Sequence, residues 1–595
     1  MPLITRLNSF VLTAALLVAE VVLGQSSSSS DPAVDFSDNR TPTWQETVAA
    51  FEALAELHPL AHFIEVGMSD VGRPIHAFIL SNQGGAIGSL AELRSLRGSN
   101  AEKLGLLVNN AIHPGEPCGV DASVAWLREL MGDDIALKRV LETMDIAVIP
   151  MYNVGGALNR NCCTRTNQDG PEEYGFRGNA RNLDLNRDFI KMDSRNAFAF
   201  VNLFQAFAPD VFIDTHTTNG ADYPYEMTLI ATQPDKAGPV IGPFIRNEMG
   251  PALYASMDER SVPMSPYVYS MDETPESGIR GFLETPRYST GYGVLFGAIG
   301  FTAEAHMLKP FPVRVHATKQ FIESTVSYMV LHTNRIRQIR QEEKMRWKNA
   351  TEVPVRWGLT DNYEEIEFQG YASRKEVSPV TGELRLKYDR TSTWERVIPY
   401  YNEYDAVQVT TIPAFWVVPQ AWREVIERLR ANGVHLEPIP TDTTMALRVG
   451  EIKGFQSSSR PYEGHHMNKV SQVQWEVQPI QLFAGDFVVP ADQASLRFLC
   501  EVLDPQAHDS YFTWNFFDSA MQQKEHFSAY VFEETARDML EGDSLLRMQF
   551  EMAVEADESL KNSASSQLNW LYRASKHYEG TVNRYPVYKS LADRQ

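Results

Sequence analysis

The chain has 595 residues, 43% of them hydrophobic, a formal net charge of −22 and four cysteines. That length is too great for one core and points to two to four domains. The charge argues against nucleic acid or an anionic membrane surface as partner, and so few cysteines exclude a disulfide-built scaffold.

Residues 1–24 read as a signal peptide, with Arg6, an apolar segment from Phe10 to Leu23, and Gly24 at its end. Glu20 interrupts the segment, which is too short to span a bilayer, and no later stretch is apolar enough to do so. Gln25 in place of a cysteine speaks against lipid attachment. Residues 25–40, with the run Ser26 to Ser30, read as a flexible leader, and a secreted or periplasmic location is expected. Trp44, Val48, Phe51, Leu54 and Leu57 then recur at helical spacing, with Thr41 or Thr43 as cap. Residues 62–80 read as two strands separated by the turn residues Gly67 to Pro74.

The next stretch carries chemistry. Leu104 to Val108 is a continuous apolar block, as in a strand buried on both faces, and it ends in His113-Pro-Gly-Glu116. A helix follows from Cys118 to Met131, then a strand from Asp145 to Pro150 and a polar segment from Asn153 to Asp184. Val211 to Asp214 is a third strand, ending in His216, and Gly300 to Glu304 a fourth, ending in a carboxylate. In open α/β sheets the ligand site lies beyond the carboxyl ends of the strands. Three strands that finish in His113, His216 and Glu304 therefore predict a metal centre, and imidazoles with a carboxylate suit zinc. His62 and Glu65 share the spacing of His113 and Glu116 but sit at an ordinary strand start.

A helix is expected from Val313 to about Lys348, after which the texture changes to strands over Glu365–Tyr371 and Leu384–Tyr388. Phe415–Val418, Gln420–Ala431 and His435–Ile439 read as strand, helix and strand, with Asn432-Gly433 closing the helix. From Ser510 the pattern is helical to the end. The expected fold class is α/β, a mixed and mostly parallel sheet flanked by helices over 41–348, followed by a mixed α+β region over 349–595 of open role. His306 reads as a satisfied structural residue, and His465-His466 as loop surface. Cys162 and Cys163 are adjacent and not expected to bridge each other; Cys118 is a possible partner for either, and the pairing stays open.

From about Thr41 to Ile339 the chain resembles the zinc metallocarboxypeptidases of carboxypeptidase A and B type. The resemblance rests on an ordered series: Gly67 to Ile75, His113-Pro-Gly-Glu116, Asp184-Leu-Asn-Arg187, Asp214-Thr-His216, Tyr288 and Glu304. It implies one zinc ion held by His113, Glu116 and His216, with Glu304 as general base and acid and Asp184 orienting His113. It further implies that Asn186 and Arg187 bind the free terminal carboxylate of a peptide substrate, that Arg177, with Arg181 as rival, stabilises the oxyanion, and that Tyr288 rather than Tyr292 closes over the substrate. Two other readings stand beside it: a zinc amidase acting on cell-wall peptides or acylated amino acids, and an inactive binding module. The short segment from Arg187 to His216 implies a trimmed rim, and the specificity pocket around Leu295 and Phe296 does not align.

Overall fold

The computed structural model describes residues 38–594 apart from 84, 100, 101 and 219; the signal-peptide reading and nearly all of the leader lie outside them. The first helix is Trp44–Leu57, capped as a reciprocal box: Thr43 Oγ1 accepts the Glu46 N–H and the Glu46 carboxylate accepts the Thr43 N–H. Strands β1 (Ala61–Met68) and β2 (Pro74–Leu80) pair antiparallel. They begin an eight-stranded sheet completed by β3 (Leu104–Asn109), β4 (Met144–Ile149), β5 (Val211–Thr218), β6 (Met227–Ala231), β7 (Met264–Pro266) and, after the short β8 (Ile279–Arg280), β9 (Ile299–His306). Its order is β1-β2-β4-β3-β5-β9-β6-β7. The central run β4-β3-β5-β9 is parallel, which accounts for its continuous apolar sequences: every residue of β3, β4 and β5 is buried.

Helices cover both faces. The Cys118–Met131 helix lies where the sequence places it, whereas Leu90–Ser99, Asp134–Thr143 and Arg195–Phe207 were not anticipated. The long helix expected to Lys348 is two, Phe311–Leu331 and Thr333–Lys348. The chain leaves helical geometry at His332, whose ring stacks on Tyr328 at 4.2 Å, and the Thr333 hydroxyl donates to the Met329 carbonyl at 2.8 Å. Among the described residues no helix is long and apolar enough to cross a membrane.

Past Lys348 the chain forms β10 (Glu352–Leu359) paired with β13 (Tyr404–Thr411), and a long hairpin of β11 (Glu364–Val377) and β12 (Leu384–Tyr401), whose end adds in parallel to β8. A six-stranded sheet follows: β14 (Phe415–Val418), β15 (Glu437–Pro438), β16 (Thr443–Ser457), β17 (Asn468–Leu482), β18 (Phe487–Pro490) and β19 (Tyr588–Lys589), ordered β15-β18-β14-β19-β16-β17. The strand expected over His435–Ile439 is only Glu437–Pro438, and it pairs with β18 rather than with β14.

One hydrophobic cluster crosses Lys348. Phe204, Phe212, Tyr292 and Leu295 belong to it together with Val353, Trp416, Leu429, Phe498, Trp514 and Tyr585. Polar contacts reinforce the join. The Tyr292 hydroxyl donates to Asn432 Oδ1 at 2.8 Å, and the buried Arg497 guanidinium donates to the carbonyls of Lys236, Ala237 and Val294. Arg287 meets the fully buried Asp509 through its N–H at 2.9 Å, Nε at 2.8 Å and Nη2 at 2.7 Å.

The cysteine expectation is corrected. Cys162 and Cys163 form a disulfide with each other. Asn161 Oδ1 accepts the N–H groups of both Cys163 and Thr164, a side-chain-capped turn that folds the chain back at the pair. Cys118 is buried between Thr217 and Thr318 and is free, as is the buried Cys500.

Candidate metal centre

The parallel register brings the strand ends together: Asn109 lies beside Asp214, and His216 directly beside Glu304. Beyond β3 the chain turns so that His113 and Glu116, both buried, face His216. Ligand atoms of His113, Glu116 and His216 all lie within 4.8 Å of one another. His113 Nδ1 is 3.4 Å from Glu116 Oε1, and His216 Nδ1 is 3.1 Å from Glu116 Oε2. Each imidazole turns its other nitrogen to a carboxylate: His113 Nε2 to Asp184 Oδ1 and His216 Nε2 to Asp214 Oδ2, both at 2.9 Å. A proton on each Nε2 leaves both Nδ1 lone pairs pointing inward, the arrangement that a zinc-binding histidine pair needs. Two nitrogens and a carboxylate, with their orienting partners in place, fit a zinc ion with an open coordination position.

The surroundings are strongly charged. Arg165 Nη1 donates to Glu116 Oε1 at 2.8 Å, while Arg165 Nη2 donates to the Thr217 carbonyl. Burial pushes the Glu116 carboxyl up, but Arg165 and His113 outweigh it and hold it well below the usual carboxylate range. Asp184 is held low in the same way, by His113 and Arg177 against desolvation. Glu304 differs, because burial pushes its carboxyl up to about 7, within range of proton exchange near neutrality.

The other anticipated residues fall around this centre. Arg177 donates through Nε and Nη2 to Asp184 Oδ2, and its Nη1 lies 3.3 Å from His113 Nδ1. Arg181 turns away to the Asp193 carbonyl. Asn186 Oδ1 accepts the Ser289 N–H at 3.1 Å, and the Ser289 hydroxyl in turn holds Asp214. The Arg187 guanidinium lies over the Tyr288 ring at 4.4 Å, whereas Tyr292 is buried in the core. His62 stands on β1 beside Ile79, outside the cluster.

Two histidine expectations are corrected. His306 is fully buried but not satisfied: it stacks on Tyr223 at 4.2 Å, neither ring nitrogen has a hydrogen bond among the described residues, and Asp222 Oδ1 is 3.6 Å away. His465 is not loop surface. Its Nε2 lies 2.7 Å from Asp193 Oδ2 and its Nδ1 2.6 Å from Asn515 Oδ1, so two acceptors face one ring and favour the imidazolium. Despite partial burial, Asp193 raises its pKa. A raised folded value contributes stability below the ordinary imidazole pKa that is lost as pH rises through the folded one. The difference in thermal midpoint between wild type and His465→Gln is accordingly expected to be largest near pH 6 and to shrink above about pH 7; a difference independent of pH would mean that the ring is neutral throughout.

Sequence reasoning missed Arg165, Tyr462 and Glu463. The Glu463 carboxylate accepts the Asp184 N–H at 2.8 Å, and the Tyr462 hydroxyl accepts from Arg187 Nε at 2.9 Å. No motif marks them.

The fold and the centre thus define an α/β protein with a two-histidine, one-carboxylate metal site at the carboxyl edge of a parallel sheet. Residues 47–222, which include His113, Glu116, Asp184, Arg187 and His216, match the family model for zinc carboxypeptidases. It is 22% identical over 501 residues to carboxypeptidase 2 of Trichophyton equinum, covering 80% of this chain and 84% of that one. The likeness to carboxypeptidase 2 of Trichophyton rubrum is also 22%, over 508 residues and the same shares. Alignments of this length run past residue 348 and take in part of the second half. A solved metallocarboxypeptidase from Burkholderia cenocepacia is 17% identical, the match covering 49% of this chain and 70% of that one with a TM-score of 0.36.

Proposed function

We propose that the protein is a secreted zinc carboxypeptidase that hydrolyses the C-terminal peptide bond of peptides or proteins, with residues 41–348 as its catalytic part. The observation that supports this most directly is the juxtaposition of the His113, Glu116 and His216 cluster with Glu304 on the neighbouring strand and with Asn186 and Arg187 beside it. One zinc ion held by that cluster would supply Lewis acidity to a water and to the scissile carbonyl.

The chain's own residues do the rest. Glu304 accepts the proton of the attacking water on a carboxylate oxygen and returns it to the nitrogen of the departing residue. Arg177 faces the negative charge that develops on the carbonyl oxygen. Arg187 and Asn186 take the substrate's terminal carboxylate, which places the last peptide bond over the centre, and Tyr288 packs behind Arg187 to exclude water. Asp184 and Asp214 keep the imidazoles in register.

The test is release of the terminal residue from blocked dipeptides with free or amidated carboxyl ends. Cleavage is expected only for the free forms, to be abolished by a zinc chelator, and to return when zinc is restored. A protein that binds zinc yet leaves every free-carboxyl substrate intact would point instead to an amidase acting on another acyl group.

A further inference from the structure

The second half reaches the substrate side of the centre through one turn. Tyr462 and His465 exchange both backbone hydrogen bonds, at 2.8 and 3.0 Å, around Glu463 and Gly464. Both central residues have positive φ, +49° for Glu463 and +83° for Gly464. Such a two-residue turn favours Asn or Gly first, and a glutamate held there costs about 1–2 kcal/mol. The turn is anchored to three points of one segment of the first half: Tyr462 to Arg187, Glu463 to the Asp184 N–H and His465 to Asp193.

Arg187 shows what the turn can bind. Its Nε donates to the Tyr462 hydroxyl at 2.9 Å and its Nη1 to the Asn186 carbonyl at 2.7 Å, while Nη2 makes no hydrogen bond among the described residues. Nε and Nη2 share the guanidinium edge that normally grips both oxygens of a carboxylate. With Tyr462 on Nε, an incoming carboxylate meets Nη2 alone and must find a second donor. The Tyr462 hydroxyl supplies it, because it spends a lone pair on Arg187 and keeps its own proton, for which no acceptor is placed among the described residues. The ring is held in position by stacking on Trp514, with centroids 6.2 Å apart, and its 38% exposure leaves it open to a ligand.

We propose that Tyr462 is a substrate-binding residue, whose hydroxyl joins Arg187 Nη2 in donating to the terminal carboxylate of the peptide. The second half therefore completes the exopeptidase site. This rests on the carboxypeptidase reading above.

The decisive measurement is the Kd of an acylated dipeptide, with free or amidated carboxyl end, on zinc-loaded protein carrying Glu304→Gln so that nothing is cleaved. Adding Tyr462→Phe, which keeps the stacked ring, is expected to weaken binding of the free-carboxyl peptide about tenfold and leave the amide unchanged. With Glu304 intact, Tyr462→Phe should raise KM by a similar factor while kcat moves less than about twofold. An unchanged Kd, or an equal loss on both peptides, overturns the assignment. A Glu304→Gln protein that binds both peptides equally well before Tyr462 is altered overturns the exopeptidase reading itself, and this inference with it.

Discussion

Glu304→Gln is expected to lower kcat on a free-carboxyl dipeptide by about 10²–10⁴-fold while bound zinc stays unchanged, because general acid–base catalysis contributes on that scale. The amide is nearly isosteric and keeps the packing of β9, but it cannot accept a proton. Glu304 lies directly beside His216 in the parallel register, yet outside the group of converging ligand atoms. Kinetics paired with metal analysis separate the possible roles. Loss of zinc from the variant would make Glu304 a ligand, and an unaltered kcat would remove it from the chemistry.

Asp509→Ala is expected to destabilise the folded chain by about 3–5 kcal/mol, the range for breaking a buried pair from one side. Asp509 accepts three bonds from Arg287, whose guanidinium would be left in a largely buried position against Trp514 with no counter-charge. The shift in denaturant midpoint measures the loss. Asp509→Ala combined with Arg287→Met should recover much of it, since the uncompensated charge then disappears. A single variant as stable as the wild type would show that water reaches Arg287 freely.

What could be read from the sequence was local. The runs before His113, His216 and Glu304 announce buried strands because strands covered on both faces need unbroken apolar stretches, and a break followed by a ligand residue marks a strand's functional end. Asp184, Asn186 and Arg187 could be found because they fall within four consecutive residues. The helix Arg195–Phe207 has nine buried residues, and its less buried positions Arg195, Phe198, Asn202 and Gln205 recur on one face, so its helical spacing was present in the sequence and went unread. Tyr462, Glu463 and His465 were beyond reach. Glu463 meets a backbone N–H 279 residues away, and no spacing rule connects two such positions. The vicinal disulfide depended on how Asn161 turns the chain, which composition does not record.

The hydrophobic cluster that passes across Lys348 has a consequence for how such a protein can vary. Phe296 stacks on Phe498 at 5.6 Å, and Tyr292 shares a hydrogen bond with Asn432, so each half supplies walls for the other. A change in the size of one such side chain has to be answered by its neighbour in the other half. The halves are therefore not interchangeable cassettes. A chimera joining residues 41–348 to the second half of a relative as distant as the Trichophyton carboxypeptidases would bring together two unmatched surfaces, and reshaping the substrate rim by recombination would mean exchanging the facing aromatic residues with it.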